Sequence, residues 1–120
     1  MITHLKFAGI AVRDQDKALK FWTEVMGFRV TTDQPMGNQR WIELRIGNAQ
    51  TGIVLFTPEG HEDRVGTFFN GSFACDDVDA TFRQLKAKDV EFLQPPTKQE
   101  WGTYAIFKDP EGNRFVLGSR

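Results

Sequence analysis

Residues 5–12 alternate, with Gly9 and Ala11 on one side and Ile10 and Val12 on the other. That is the period of a strand, and its small residues leave one face open to close approach. Asp14 then stands where a helix N-cap would, and Ala18, Trp22 and Val25 fall at i, i+4 and i+7 to make one apolar stripe. Gly27 suits the left-handed residue that closes such a helix. A strand resumes over 28–32, and residues 33–38, Asp-Gln-Pro-Met-Gly-Asn, read as a loop. Residues 40–46 alternate cleanly. Ile42, Leu44 and Ile46 point toward the helix, and Trp41, Glu43 and Arg45 point the other way. Gly47-Asn48 turns the chain, Ala49-Gln50 lengthens the turn, and a partner strand follows over 53–57. The unit reads βαβββ.

The chain then repeats it. One constant step carries Phe7 to Asn70, Val12 to Cys75, Asp14 to Asp77, Asp16 to Asp79, Leu19 to Phe82 and Trp22 to Leu85. The second copy predicts a strand over 71–75, a helix over 78–88 with Val78, Phe82 and Leu85 as its stripe, and a strand over 90–93. Pro95 and Pro96 are expected to break the chain there. A strand over 101–108, a tight Asp-Pro-Glu-Gly turn and a last strand over 114–117 complete it. The expected organisation is one domain spanning 1–120, with module one at 1–57, a polar linker at 58–69 and module two at 70–120. The fold class is α+β.

Composition narrows the function. With 120 residues and 40% hydrophobic content a real core is expected, and disorder is excluded. A net charge of −1, with both signs interspersed, argues against nucleic acid or an anionic membrane as partner. One cysteine, Cys75, suits a reducing compartment and reads as a buried structural thiol. The opening MITHLKFAGIAV lacks a basic segment followed by a long apolar run, so the expected location is cytoplasmic. Asp76-Asp77-Val78-Asp79 lacks the glycine and bidentate glutamate of a calcium loop and is read as helix capping.

The ordered stretches Ile10-Ala11-Val12-Arg13-Asp14, Phe21-Trp22, Met26-Gly27-Phe28, residues 73–90 and Asp109-Pro110-Glu111-Gly112-Asn113 resemble the vicinal oxygen chelate superfamily. That superfamily includes glyoxalase I, extradiol dioxygenases, fosfomycin-resistance enzymes and bleomycin-resistance proteins. The resemblance implies two tandem βαβββ modules whose curved sheets surround a cleft, with the helices outside. It also implies a homodimer. Catalytic members place a metal ligand on the first and last strands of each module. Carried onto this chain, those positions are Phe7, Leu55, Asn70 and Val116, none of which offers the imidazole or carboxylate such metals want. No metal and no cofactor are therefore expected. His4 and His61 lie away from these positions.

What remains is a cleft for a small molecule. Alternation and alignment place Phe7, Trp41, Glu43, Arg45, Leu55, Asn70, Ser72, Trp101, Tyr104 and Val116 along it. The expectation is metal-independent binding or sequestration of an aromatic or amphipathic molecule. Two alternatives stand beside it: a glyoxalase-like lyase or isomerase using Glu43 or Tyr104 without a metal, and a dimeric structural protein with no ligand.

Overall fold

A computed structural model of the chain describes residues 1–66 and 70–119, and for Asn70 the backbone alone. It contains two four-stranded mixed sheets. The first is built from β1 (Phe7–Ala11), β2 (Arg29–Met36), β3 (Gln39–Arg45) and β4 (Gly52–Phe56) in the order β1-β4-β3-β2. The second uses β5 (Asn70–Cys75), β6 (Glu91–Gln99), β7 (Gly102–Lys108) and β8 (Arg114–Ser119) in the order β5-β8-β7-β6. In each sheet the outer first strand runs parallel to the last strand, and the remaining pairs are antiparallel. The βαβββ repeat therefore builds the same sheet twice.

Both helices start as the pattern predicts. Asp14 accepts the Lys17 N–H at 3.0 Å ahead of α1 (Gln15–Lys20), and Asp77 accepts the Ala80 N–H at 3.0 Å ahead of α2 (Val78–Lys86). The first helix does not run on as a plain α-helix. It widens into a π turn over Phe21–Val25, where the Met26 N–H reaches the Phe21 carbonyl. Gly27, at φ 81°, then closes it.

Two segments read as loops are strands. β2 continues through Asp33, Gln34 and Pro35 to Met36, and β6 passes through Pro95 and Pro96 to Gln99. Both are edge strands, the place in a sheet where proline is tolerated. β6 accommodates its prolines with register shifts between Phe92 and Gln94 and between Gln94 and Thr97. β2 is held to β3 by Arg40, whose fork bonds both oxygens of Asp33 at 3.1 and 2.9 Å. That hydrogen bonding holds the Asp33 carboxyl below the usual carboxylate range. Arg40 also pairs with Asp16 in the first turn of α1, tying the sheet edge to the helix. In the linker, Glu62–Arg64 form a short 3₁₀ turn and Val65 is buried; residues 67–69 lie outside the described residues.

The helix-facing sides of both sheets feed one core. Ile10, Ile42, Leu44, Ile53 and Leu55 enter it from the first sheet, and Ala105, Phe107, Phe115 and Leu117 from the second. Trp22, fully buried on the π turn, bridges them. Its ring lies 5.4 Å from Phe28, 5.8 Å from Phe73 and, edge to face, 5.1 Å from Phe115. Ile46, expected to pack under the helix, lies past the end of β3 and is exposed.

A second bridge is polar. The turn after β7 is closed by the Gly112 N–H on the Asp109 carbonyl, and Gly112 takes φ 89°, which favours glycine. The turn's side chains reach back to the first module. Glu111 accepts the N–H groups of Arg13 and Asp14, both at 2.9 Å. The Asn113 amide, fully buried, donates to the Ala11 carbonyl and to Asp109, and accepts the Gly66 N–H. Burial raises the Asp109 carboxyl above its usual value, against the lowering effect of hydrogen bonds from Asn113 and Glu111.

Two stability measurements test this core. Trp22→Ala is expected to lower the urea-unfolding free energy by about 3–5 kcal/mol. Trp22→Phe should cost clearly less, because the buried indole N–H has no partner among the described residues to leave behind. For Asp109, the native state holds its proton more tightly than the unfolded chain, so its contribution to stability falls as pH rises from the usual carboxylate value through the raised one. Asp109→Asn removes that contribution and loses an acceptor facing Asn113. Its deficit relative to wild type should be largest at the acid end of the window and narrow toward neutral pH.

Candidate functional site

Because both sheets turn one side to the core, each leaves an open face whose residues follow from strand pairing. On the first sheet, β1 presents Phe7, Gly9 and Ala11, β4 presents Gly52, Val54 and Phe56, and β3 presents Trp41, Glu43 and Arg45. On the second, β5 presents Ser72 and Ala74, β8 presents Arg114, Val116 and Gly118, and β7 presents Tyr104 and Ile106.

The first face is packed. Phe7 meets Trp41 edge to face, with ring centroids 5.3 Å apart. Those rings stand on β1 and β3, so the strand between them, β4, is covered, and Val54 is buried although it lies off the core side. Gly9 admits the ring of Phe56, which an added Cβ would meet at 2.9 Å. Gly52 does the same for Arg45, whose guanidinium lies across it where a Cβ would overlap. Arg45 pairs with Glu43 at 3.0 Å, their side chains only 22% and 14% exposed. The Nη1 of Arg45 is buried with no acceptor among the described residues, an arrangement that costs about 1–3 kcal/mol.

The second face is open. A hollow of about 220 Å³ lies on it, lined by Leu93, Gln94, Ile106, Arg114 and Val116. One row along, Ala74, Gly118 and Tyr104 sit side by side, and the space above Gly118 is empty. Trp101 stacks on Tyr104 at 5.7 Å and 28°. A floor of small residues beside a standing aromatic stack leaves space for a flat ring.

The residues singled out from the sequence therefore divide between two faces. Phe7, Trp41, Glu43 and Arg45 share the first, and Ser72, Tyr104 and Val116 share the second. Asn70 opens β5 opposite Arg114, and its side chain lies outside the described residues. Trp101 is in the turn before β7 and not in the strand, 68% exposed. Leu55 is a correction. It pairs with Ile10 and Ile42 and is fully buried in the core, so Val54 and Phe56 take the open side of β4. Leu93, Ile106 and Arg114 were missed. The signal for Ile106 and Arg114 was the alternation that they share with Tyr104 and Val116. Among the described residues, no three His, Cys, Asp or Glu side chains gather where they would hold a metal ion. No helix among them is long and apolar enough to cross a membrane.

Tandem βαβββ sheets with helices on one side and open faces on the other define an α+β fold of the glyoxalase and bleomycin-resistance type. The chain belongs to the glyoxalase/bleomycin resistance protein/dioxygenase superfamily, whose family model matches residues 2–117. It is 37% identical to YetH of Bacillus subtilis (strain 168), an uncharacterised protein, over 98% of each chain. Among solved structures it is similar to TnmS3, an antibiotic binding protein from Streptomyces sp. CB03234, with 33% identity, a TM-score of 0.89, and 98% of this chain and 96% of that one covered. It is also similar to a superfamily member from Sphaerobacter thermophilus DSM 20745, with 32% identity, a TM-score of 0.88, and 99% and 98% covered.

A core position of the first sheet and an open-face position of the second make a direct comparison. Leu55→Ala is expected to cost about 2–5 kcal/mol of stability, as for a leucine removed from a closed core. Tyr104→Ala, at a half-buried position on the open face, should cost clearly less, because it gives up partial burial and one ring pairing and leaves no closed cavity. Chemical denaturation of both variants checks the assignment. Equal losses would contradict it.

Proposed function

We propose that this protein binds a small aromatic or amphipathic molecule against its open sheet faces, without a resident metal, as a cytoplasmic homodimer. The observation that carries the reading is the chemistry of the open faces on β1, β4, β5 and β8. Their positions hold Phe7, Gly9, Ala11, Gly52, Val54 and Phe56 in the first sheet, and Ser72, Ala74, Arg114, Val116 and Gly118 in the second. None is an imidazole or a carboxylate, so a shift of register does not restore a set of ligands of the kind that catalytic divalent metals use. Aromatic pairs flank these strands instead: Phe7 with Trp41, and Tyr104 with Trp101. Apolar walls with a few polar groups suit small-molecule recognition. The likeness to an antibiotic binding protein supports the same class of activity.

The dimer is supported by exposed apolar groups on or beside the second face, Leu93 and Trp101 among them, which a second chain would cover. An enzymatic reading through Glu43 is less well supported, because its carboxylate oxygen is engaged by Arg45.

Titration with the neutral dye N-phenyl-1-naphthylamine, followed by fluorescence, tests the proposal. Saturable binding is expected, unchanged by EDTA and weakened at least about fivefold, roughly 1 kcal/mol, by Trp41→Ala or Trp101→Ala in variants that melt cooperatively. Sedimentation should give a dimer. Absence of saturable binding, or its abolition by EDTA, would refute the reading.

A further inference from the structure

The first sheet's open face carries two arginines and a single carboxylate to serve them. Arg29 and Arg45 stand directly opposite each other on β2 and β3. Like charges in that relation repel, and each would gain from a shared anion. One carboxylate, Glu43, serves the pair, and it bonds only Arg45. Arg29 makes no ion pair among the described residues; its Nε donates to the Gly47 carbonyl at 3.2 Å. The Arg45 guanidinium is folded down onto Gly52, where Nη1 has no acceptor. On the far side of Gly52, in the ladder position beside it, stands Phe7, whose ring leads to Trp41.

We propose that the Arg29–Arg45 end of this face recognises an anionic group, so that the molecule bound is an aromatic acid, its ring against Phe7 and Trp41 and its carboxylate or sulfonate on Arg45. This inference rests on the proposed binding function and adds the charge of the ligand. Three features converge on it. The local charge is two cations against one anion. The guanidinium has an unmet donor, and lifting from the floor toward a ligand oxygen satisfies it. The Gly52 notch, which Arg45 vacates on lifting, lies between the arginine and the aromatic pair. Arginine's planar fork suits a carboxylate or sulfonate better than a point charge would. Glu43 competes with the ligand for the same guanidinium and thereby sets the affinity.

The test compares two dyes that share an arylamine skeleton: 8-anilinonaphthalene-1-sulfonate, which is anionic, and N-phenyl-1-naphthylamine, which is neutral. The ratio of their affinities isolates the anion. Arg45→Met is expected to lower the anionic-to-neutral ratio about fivefold or more, and Arg45→Lys to restore part of it. Glu43→Gln should raise the ratio about threefold, because the guanidinium loses its internal anion. Added salt should lower the ratio in the wild type and lower it less in Arg45→Met. A ratio unmoved by Arg45→Met overturns the proposal, and so does a ratio that Glu43→Gln lowers. If Arg45→Met fails to fold, the sign of the Glu43→Gln effect decides. Failure of both dyes to bind removes the proposed function itself, whereas equal binding of both with an unmoved ratio removes only the anion.

Discussion

A single side-chain amide holds the two halves of this chain in register. Asn113 is fully buried and bonds the end of β1 through Ala11, the linker through Gly66, and its own turn through Asp109. An apolar side chain in its place would leave these partners without the bonds that the amide makes in a buried setting. Glu111, two residues earlier, caps the start of α1 from the opposite module. That matters because α1 has only six α-helical residues before it widens, too few to be stable alone. The helix is fixed by what surrounds it: the Asp14 cap, the Glu111 carboxylate and the aromatic packing of Trp22. With α1 fixed, the helix sides of both sheets are committed to one core, and their other sides face away from it.

Those other sides differ, though the repeat builds them alike. The first is filled by its own side chains, which lie across Gly9 and Gly52. The second keeps empty space above Gly118 and a hollow beside Val116. One face therefore offers charge and edges of rings, and the other offers volume. A binding site assembled from the two would join a recognition surface to a receptacle.

Much of this was legible in the chain, for reasons that can be named. The period-two pattern of β1 and β3 sorts Phe7, Trp41, Glu43 and Arg45 from Ile10, Ile42 and Leu44 without reference to a structure, because one face of each strand is apolar throughout. The caps Asp14 and Asp77 were readable because the reason for a cap is local. The proline segments were misread because their tolerance depends on lying at a sheet edge, a property of the strand order and not of the segment. Leu55 was misplaced because it was reached by alignment to a family pattern. Its ladder partners Ile10 and Ile42 determine its side. The role of Asn113 lay beyond local reading, since its partner Ala11 is 102 positions away.

That separation has a consequence for how the molecule comes into being. Synthesis delivers the amino-terminal half first, and domains tend to fold as they emerge. Here the backbone amides of Arg13 and Asp14 await a carboxylate made 98 and 97 residues later, and the Ala11 carbonyl awaits an amide made later still. Trp22 likewise has no Phe73 or Phe115 to pack against until the second module follows. The repeat suggests two halves, each a complete small fold. The fastening runs one way, from the last turn back to the first helix, so the nascent first half holds Trp22 against Phe21 and Phe28 alone until the second module covers the rest of the ring.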